Sequence, residues 1–91
     1  MTAIVRVPTQ LRTLSGGEAE VKVGGSTVGE VLAALDGQFP GFRGRLFDDD
    51  GKLRRFVNVF VADEDVRFMQ GLDTPITDGQ VVSIIPAVAG G

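Results

Sequence analysis

Apolar and polar positions alternate in two short runs near the start of the chain. Ala3 to Val7 alternates weakly and is rich in β-branched residues, which predicts a strand closed by Pro8. Ser15-Gly16-Gly17 is a turn signal, and after it Glu18-Ala19-Glu20-Val21-Lys22-Val23 alternates without a break. That spacing puts Ala19, Val21 and Val23 on one face and leaves Glu18, Glu20 and Lys22 to water. The two runs and the turn between them read as an N-terminal hairpin with one wet face.

At Gly24-Gly25 the period changes from two to 3.6. Thr27 and Glu30 have capping-box spacing, in which the hydroxyl accepts from the third helical amide while the carboxylate reaches back. Val28, Val31, Leu32, Leu35 and Phe39 follow as a single stripe, so an amphipathic helix is predicted, closed by Gly37 and Pro40. Phe42 to Phe47 reads as a short helical turn with Phe42, Leu46 and Phe47 as apolar plugs.

Asp48-Asp49-Asp50-Gly51 is a loop. A calcium loop of the EF-hand kind fails on spacing, because a ligand position falls on Lys52 and no Glu closes the loop. Phe56 to Val61 is a strand, Ala62 to Asp65 a polar turn and Val66-Arg67-Phe68 a short return strand; residues 70–75 are irregular. The turn dipeptide Asp78-Gly79 feeds a last apolar strand, Val81 to Ile85, stopped by Pro86. Being apolar on both faces, that strand is expected at the centre of a sheet. Strand, strand, helix, then three strands makes an α+β layer. The fold expected is a ubiquitin-like β-grasp, one main helix on a mixed four- to five-stranded sheet over residues 1–86, with 87–91 as a flexible tail.

Composition removes whole classes of chemistry. The 91 residues include no Cys and no His, which excludes zinc fingers, Cys-ligated iron–sulfur clusters, thiol nucleophiles and Ser-His-Asp triads. No disulfide can form, so an oxidising compartment is not needed. Nine basic against twelve acidic residues give a net charge of -3, with no electrostatic reason to bind nucleic acid. The first apolar run meets Arg6 and Pro8 too soon for a signal-peptide core or a membrane span, so a cytoplasmic protein with no membrane partner is expected.

The remaining candidates are thin. Asp48 to Asp50, Asp63 to Asp65, Asp73 and Asp78 fall in turns, where carboxylates serve as solvated caps, and no catalytic site on the globule and no metal site is expected. Lys52, Arg54 and Arg55 read as a solvated loop rim in preference to a docking patch for an acidic partner. Phe56 and Phe60 share a strand face with Asn58, opposite Val57, Val59 and Val61. Either they form an exposed docking patch, or they pack against Phe42, Leu46 and Phe47; both readings stand at this point.

The C-terminus is the informative feature. Ala87, Val88 and Ala89 lead to Gly90 and Gly91 directly after the last strand. Without a Cβ, the last two peptide units can thread a channel too narrow for any side chain. Fully extended, residues 87–91 reach roughly 17 Å. That length delivers a terminal carboxylate into another protein's pocket while the globule docks outside. A carboxylate is a poor electrophile, so its use requires activation.

The whole chain resembles the ThiS/MoaD family of β-grasp sulfur carriers. The residues that carry the likeness are Asp78-Gly79 and the ending Ile85-Pro86-Ala87-Val88-Ala89-Gly90-Gly91. Arg55-Phe56-Val57-Asn58-Val59 and Asp63-Glu64-Asp65-Val66-Arg67-Phe68 are similar to its actinobacterial cysteine-biosynthesis branch. The resemblance implies that an E1-like adenylyltransferase/sulfurtransferase, using ATP and magnesium, adenylates Gly91, and that sulfur then replaces AMP to leave a thiocarboxylate. It also implies a PLP-dependent cysteine synthase and a metal-dependent (JAMM-type) peptidase as partners. The carrier would be a co-substrate and not an enzyme, binding no cofactor itself and monomeric when alone. The length of the loop from Phe42 to Arg54 argues against the thiamine branch. A molybdopterin-synthase small subunit, a ubiquitin-like modifier joined to lysines, and a non-covalent interaction module remain the alternatives.

Overall fold

Thr27 starts the main helix, α1 (Val28–Gln38), from an extended backbone. In the computed structural model, which describes residues 1–55 and 57–86, its hydroxyl accepts from the Glu30 amide at 3.2 Å. The Glu30 carboxylate reaches back to accept from the Ser26 amide at 2.9 Å, completing a reciprocal cap. Val28, Val31, Leu32 and Leu35 are fully buried, as the stripe requires, and Phe39 is half-buried at the C-cap. Gly37 does not close the helix, contrary to expectation; it lies inside it. Pro40 does the closing, because it drives the preceding Phe39 out of helical geometry, to φ -130° and ψ 89°. The short helix α2 (Phe42–Leu46) follows, with Phe42 and Leu46 fully buried. Asp36 ties it to α1 by accepting from the Gly41 and Arg43 amides.

Five strands form one sheet: β1 (Thr2–Arg6), β2 (Glu20–Gly24), β3 (Val57–Val61), β4 (Glu64–Asp65) and β5 (Gln80–Pro86). Their order is β2-β1-β5-β3-β4. β1 and β2 are the expected antiparallel pair, Val5 opposite Val21. β5 runs parallel to β1 and antiparallel to β3, which puts it at the centre of a mixed sheet. The architecture is the ubiquitin-like β-grasp, one main helix on a mixed five-stranded sheet. Ala3, Val5, Val21, Val23, Val57, Val59, Val61, Val82 and Ile84 face α1 and join its buried stripe in a single core.

Three local expectations are corrected. The connection from β1 to β2 holds a 3-10 turn (Thr9–Leu11) that buries Leu11, and Ala19 lies outside β2 and is exposed. Val66–Phe68 is a 3-10 turn and not a return strand; Asp65 caps it by accepting from the Arg67 amide at 2.9 Å. The return strand is instead β4, joined to β3 through Ala62 (φ 53°) and Asp63 (φ 67°). Two consecutive left-handed residues twist the chain as tight hairpins need. Finally, β5 is central by its pairing but is not buried on both faces: Val82 and Ile84 enter the core, while Ile85 is 49% exposed.

Candidate functional site

β5 leads towards the C-terminus, so its placement decides where the last residues leave the domain. Its start is fixed by Asp78-Gly79. The Asp78 carboxylate accepts from the Thr2 amide at 2.8 Å, and the Gly79 amide donates to the Thr2 carbonyl at 2.7 Å. Gly79 sits at φ 82°, a conformation that side chains disfavour. The dipeptide picked out by the sequence is thus a clamp between the beginnings of β1 and β5. At the other end, Pro86, the last described residue of β5, lies opposite Val57. The expected tail, Ala87, Val88, Ala89, Gly90 and Gly91, lies outside the described residues, as does Phe56.

The sheet face turned away from α1 carries no buried residue among the described residues. Alternation puts Ile4, Arg6, Lys22, Asn58, Phe60, Val81, Ser83 and Ile85 on it. Strand register lines up Lys22, Ile4 and Val81 in one row, and Glu20, Arg6, Ser83 and Phe60 in the next. Arg6 and Glu20 form an exposed ion pair at 3.3 Å, of a kind that contributes little to stability. Phe60, half-buried, lines a shallow depression with Arg6, Ala62, Asp63, Gln80, Val81 and Ser83. Of the two readings for the phenylalanines, packing against Phe42, Leu46 and Phe47 fails for Phe60. Those three belong to the core layer beside α1, on the other side of the sheet.

Three of the turn carboxylates, Asp48, Asp65 and Asp78, are used as caps. Asp48 accepts from the Asp50 amide at 2.9 Å and the Lys52 amide at 3.0 Å. Asp36, Asp65 and Asp78 likewise hold backbone amides. Within the basic group, Lys52 and Arg55 are exposed, but Arg54 is half-buried and donates from Nε to the Gly44 carbonyl at 3.1 Å. Arg54 therefore pins its loop to α2, so the three do not make one free patch. Sequence reasoning missed Arg67, whose guanidinium donates to the Asn58 side chain at 2.8 Å and to the Arg54 carbonyl at 2.7 Å. No local pattern announces that contact, since the partners lie 9 and 13 residues away.

A model of the ThiS family matches residues 5–91. The chain belongs to the ThiS family. It is 50% identical to the sulfur carrier protein CysO of Mycobacterium tuberculosis, over the full length of both chains. Among solved structures, the BexX/CysO complex of Amycolatopsis orientalis matches with a TM-score of 0.91 at 46% identity, covering 98% of this chain and 99% of that one. Small archaeal modifier protein 3 of Haloferax volcanii is 41% identical over 72% of this chain and 71% of its own length. This ThiS-family chain is a homologue of the sulfur carrier protein CysO, and the likeness extends over its whole length. No helix among the described residues is long and apolar enough to cross a membrane.

Proposed function

We propose that this ThiS-family protein carries sulfur on its C-terminal Gly91, and that the sulfur goes to cysteine biosynthesis. One observation carries the reading: the full-length likeness to a sulfur carrier, which includes the segment ending in Gly90-Gly91. In the proposed sequence, a Gly91 carboxylate oxygen attacks the α-phosphorus of magnesium-bound ATP on an E1-like partner, and pyrophosphate leaves. A sulfide equivalent then attacks the carbonyl carbon of the acyl adenylate, AMP leaves, and a thiocarboxylate remains. Its sulfur forms a bond to the β-carbon of phosphoserine or acetylserine held by a PLP-dependent synthase, and the phosphate or acetate group leaves. An S-to-N acyl shift gives a carrier–cysteine amide, and a metal-dependent peptidase cleaves that amide and restores Gly91. The globule contributes no reacting group. ATP, magnesium and PLP belong to the partners, and a reaction sequence that consumes ATP fits the cytoplasm.

Phe60, together with Phe56, is the proposed docking patch for the activating enzyme. The open sheet face supports this, because Ile85 lies on the strand that leads to the tail and Phe60 lies on the neighbouring strand β3. A face alongside the tail root can seat the carrier while the tail, roughly 17 Å long when extended, enters the partner. That a relative forms a complex with a second protein, BexX, is in keeping with docking of this kind. Phe60→Asp is expected to weaken binding to the activating enzyme by at least about tenfold while leaving thermal unfolding unchanged. Unaltered binding would remove Phe60 from the docking surface.

Likeness to a small archaeal modifier protein favours a second reading, in which activated Gly91 is joined to a lysine amine. Intact-mass measurement on protein from its native cells separates the two. The carrier reading expects a form heavier by about 16 Da, oxygen replaced by sulfur, that reacts with an alkylating reagent. High-mass isopeptide adducts without that form would transfer the conclusion to the modifier.

A further inference from the structure

Beyond Ser83, the central strand loses one of its two neighbours. β1 pairs with β5 only from Gln80 to Ser83, whereas β3 pairs with it from Val82 to Pro86. Ile84, Ile85 and Pro86, the last described residues before the tail, are therefore held by β3 alone among the described strands. Pro86 has no amide hydrogen to give to the ladder, which thins the pairing further at the point where it matters most. Whatever fixes the first residues of β3 also fixes the root of the tail.

Arg67 fixes them. Its two terminal nitrogens act as a fork, one donating to Asn58 Oδ1 at 2.8 Å and the other to the Arg54 carbonyl at 2.7 Å. Asn58 is the partner of Ile85 across the sheet. The Arg54 carbonyl also accepts from the Val57 amide at 3.0 Å, and Val57 is the partner of Pro86. One prong thus lands on Asn58, opposite Ile85, and the other on the carbonyl that holds Val57, opposite Pro86. The base of the fork is itself anchored, since Asp65 accepts from the Arg67 amide at 2.9 Å and Val66 beside it is fully buried. A planar guanidinium holds two acceptors in fixed relation, which an ammonium on a flexible stem does not.

We propose that Arg67 is a positioning residue for the activation of Gly91: through Asn58 and Arg54 it holds the start of β3, and so sets the direction in which the tail leaves the domain. This rests on the carrier reading above. The Arg67 guanidinium is engaged by Asn58 and the Arg54 carbonyl, so its effect is on the fraction of docked carriers whose tail enters the partner productively.

The test uses the full chain and its cognate activating enzyme. Arg67→Ala is expected to lower kcat for Gly91 adenylation about five- to tenfold with KM within about twofold of wild type. Arg67→Lys is expected to fall between the two. Amide exchange at Val57, Asn58, Ile84 and Ile85 is expected to quicken about tenfold, while Val5 and Val82, in the doubly paired part of the sheet, keep their protection. Asn58→Ala, which removes one prong, is expected to reproduce part of both effects. A raised KM with unchanged kcat would overturn the proposal, because Arg67 would then be touching the enzyme directly. So would unchanged exchange at the four amides. Failure of the wild-type chain to be adenylated counts against the carrier reading alone, since the exchange measurement decides the clamp without any partner enzyme.

Discussion

Replacing Gly90 with Phe, or adding one residue after Gly91, is expected to lower adenylation by at least about a hundredfold while the domain unfolds at its usual temperature. The size follows from how steeply reaction rates fall when a reacting atom is displaced by as little as an ångström. An added residue moves the free carboxylate by a full residue length, roughly 3.5 Å. A Phe ring at position 90 puts bulk where the sequence offers no Cβ at either of the last two positions. Stability is expected to hold because, among the described residues, the buried core from Ala3 to Ile84 forms a single cluster around α1 and the sheet. The check is pyrophosphate release in the presence of the activating enzyme, alongside a thermal melt of each variant. Adenylation that persists on the extended chain would mean that the terminal carboxylate is not the group that reacts.

Leu35→Ala is expected to destabilise the domain by about 2–5 kcal/mol, the range for deleting a fully buried leucine side chain. Leu35 has no exposed surface and sits on the stripe of α1 that covers the sheet, with Leu32 and Val31 beside it. A chain of this length buries only about 60–65% of its unfolded surface and has few contacts to spare. The loss should appear as a lower urea midpoint with an unchanged slope. Adenylation of the fraction that stays folded should keep its wild-type kcat, because Leu35 lies in the buried core, on the side of the sheet opposite its open face. An unchanged midpoint would reject the assignment of this helix face to the core. Together the two variants separate the body from its end: one harms folding and spares the chemistry, the other does the reverse.

Legibility along the chain followed the range of the interaction concerned. α1 could be read because all its signals lie within a dozen residues: the Thr27–Glu30 cap, the stripe from Val28 to Leu35, and the stop at Pro40. β2 could be read because strict alternation is a two-residue signal. The β3–β4 hairpin was misplaced by a few residues. Ala62 and Asp63 adopt left-handed backbone without the Asn-Gly or Asp-Gly pair that usually marks it, so the turn looked longer than it is. The inward role of Ile76 was hidden for a related reason. It lies in an irregular stretch with no period, and is buried because Ser26, at the start of α1, holds its amide.

The candidate site divides in the same way. The terminal Gly-Gly, the Asp78-Gly79 turn and the absence of Cys and His are properties of the chain as a string, and together with the strand and helix periods they suffice for the family and the fold. Which face of the sheet stays open is not such a property. Val81 and Ile85 have the same apolar chemistry as Val82 and Ile84, and only the single helical layer, packed on one side, makes one pair surface and the other core. The same holds for Phe60, set apart from Phe42 and Leu46 by the sheet between them, and for Arg67, whose two acceptors come together only once β3 has paired with β5. Periodicity records a residue's neighbours along the chain, whereas exposure and long-range hydrogen bonds depend on what the other layer covers, and that is settled only when the layers meet.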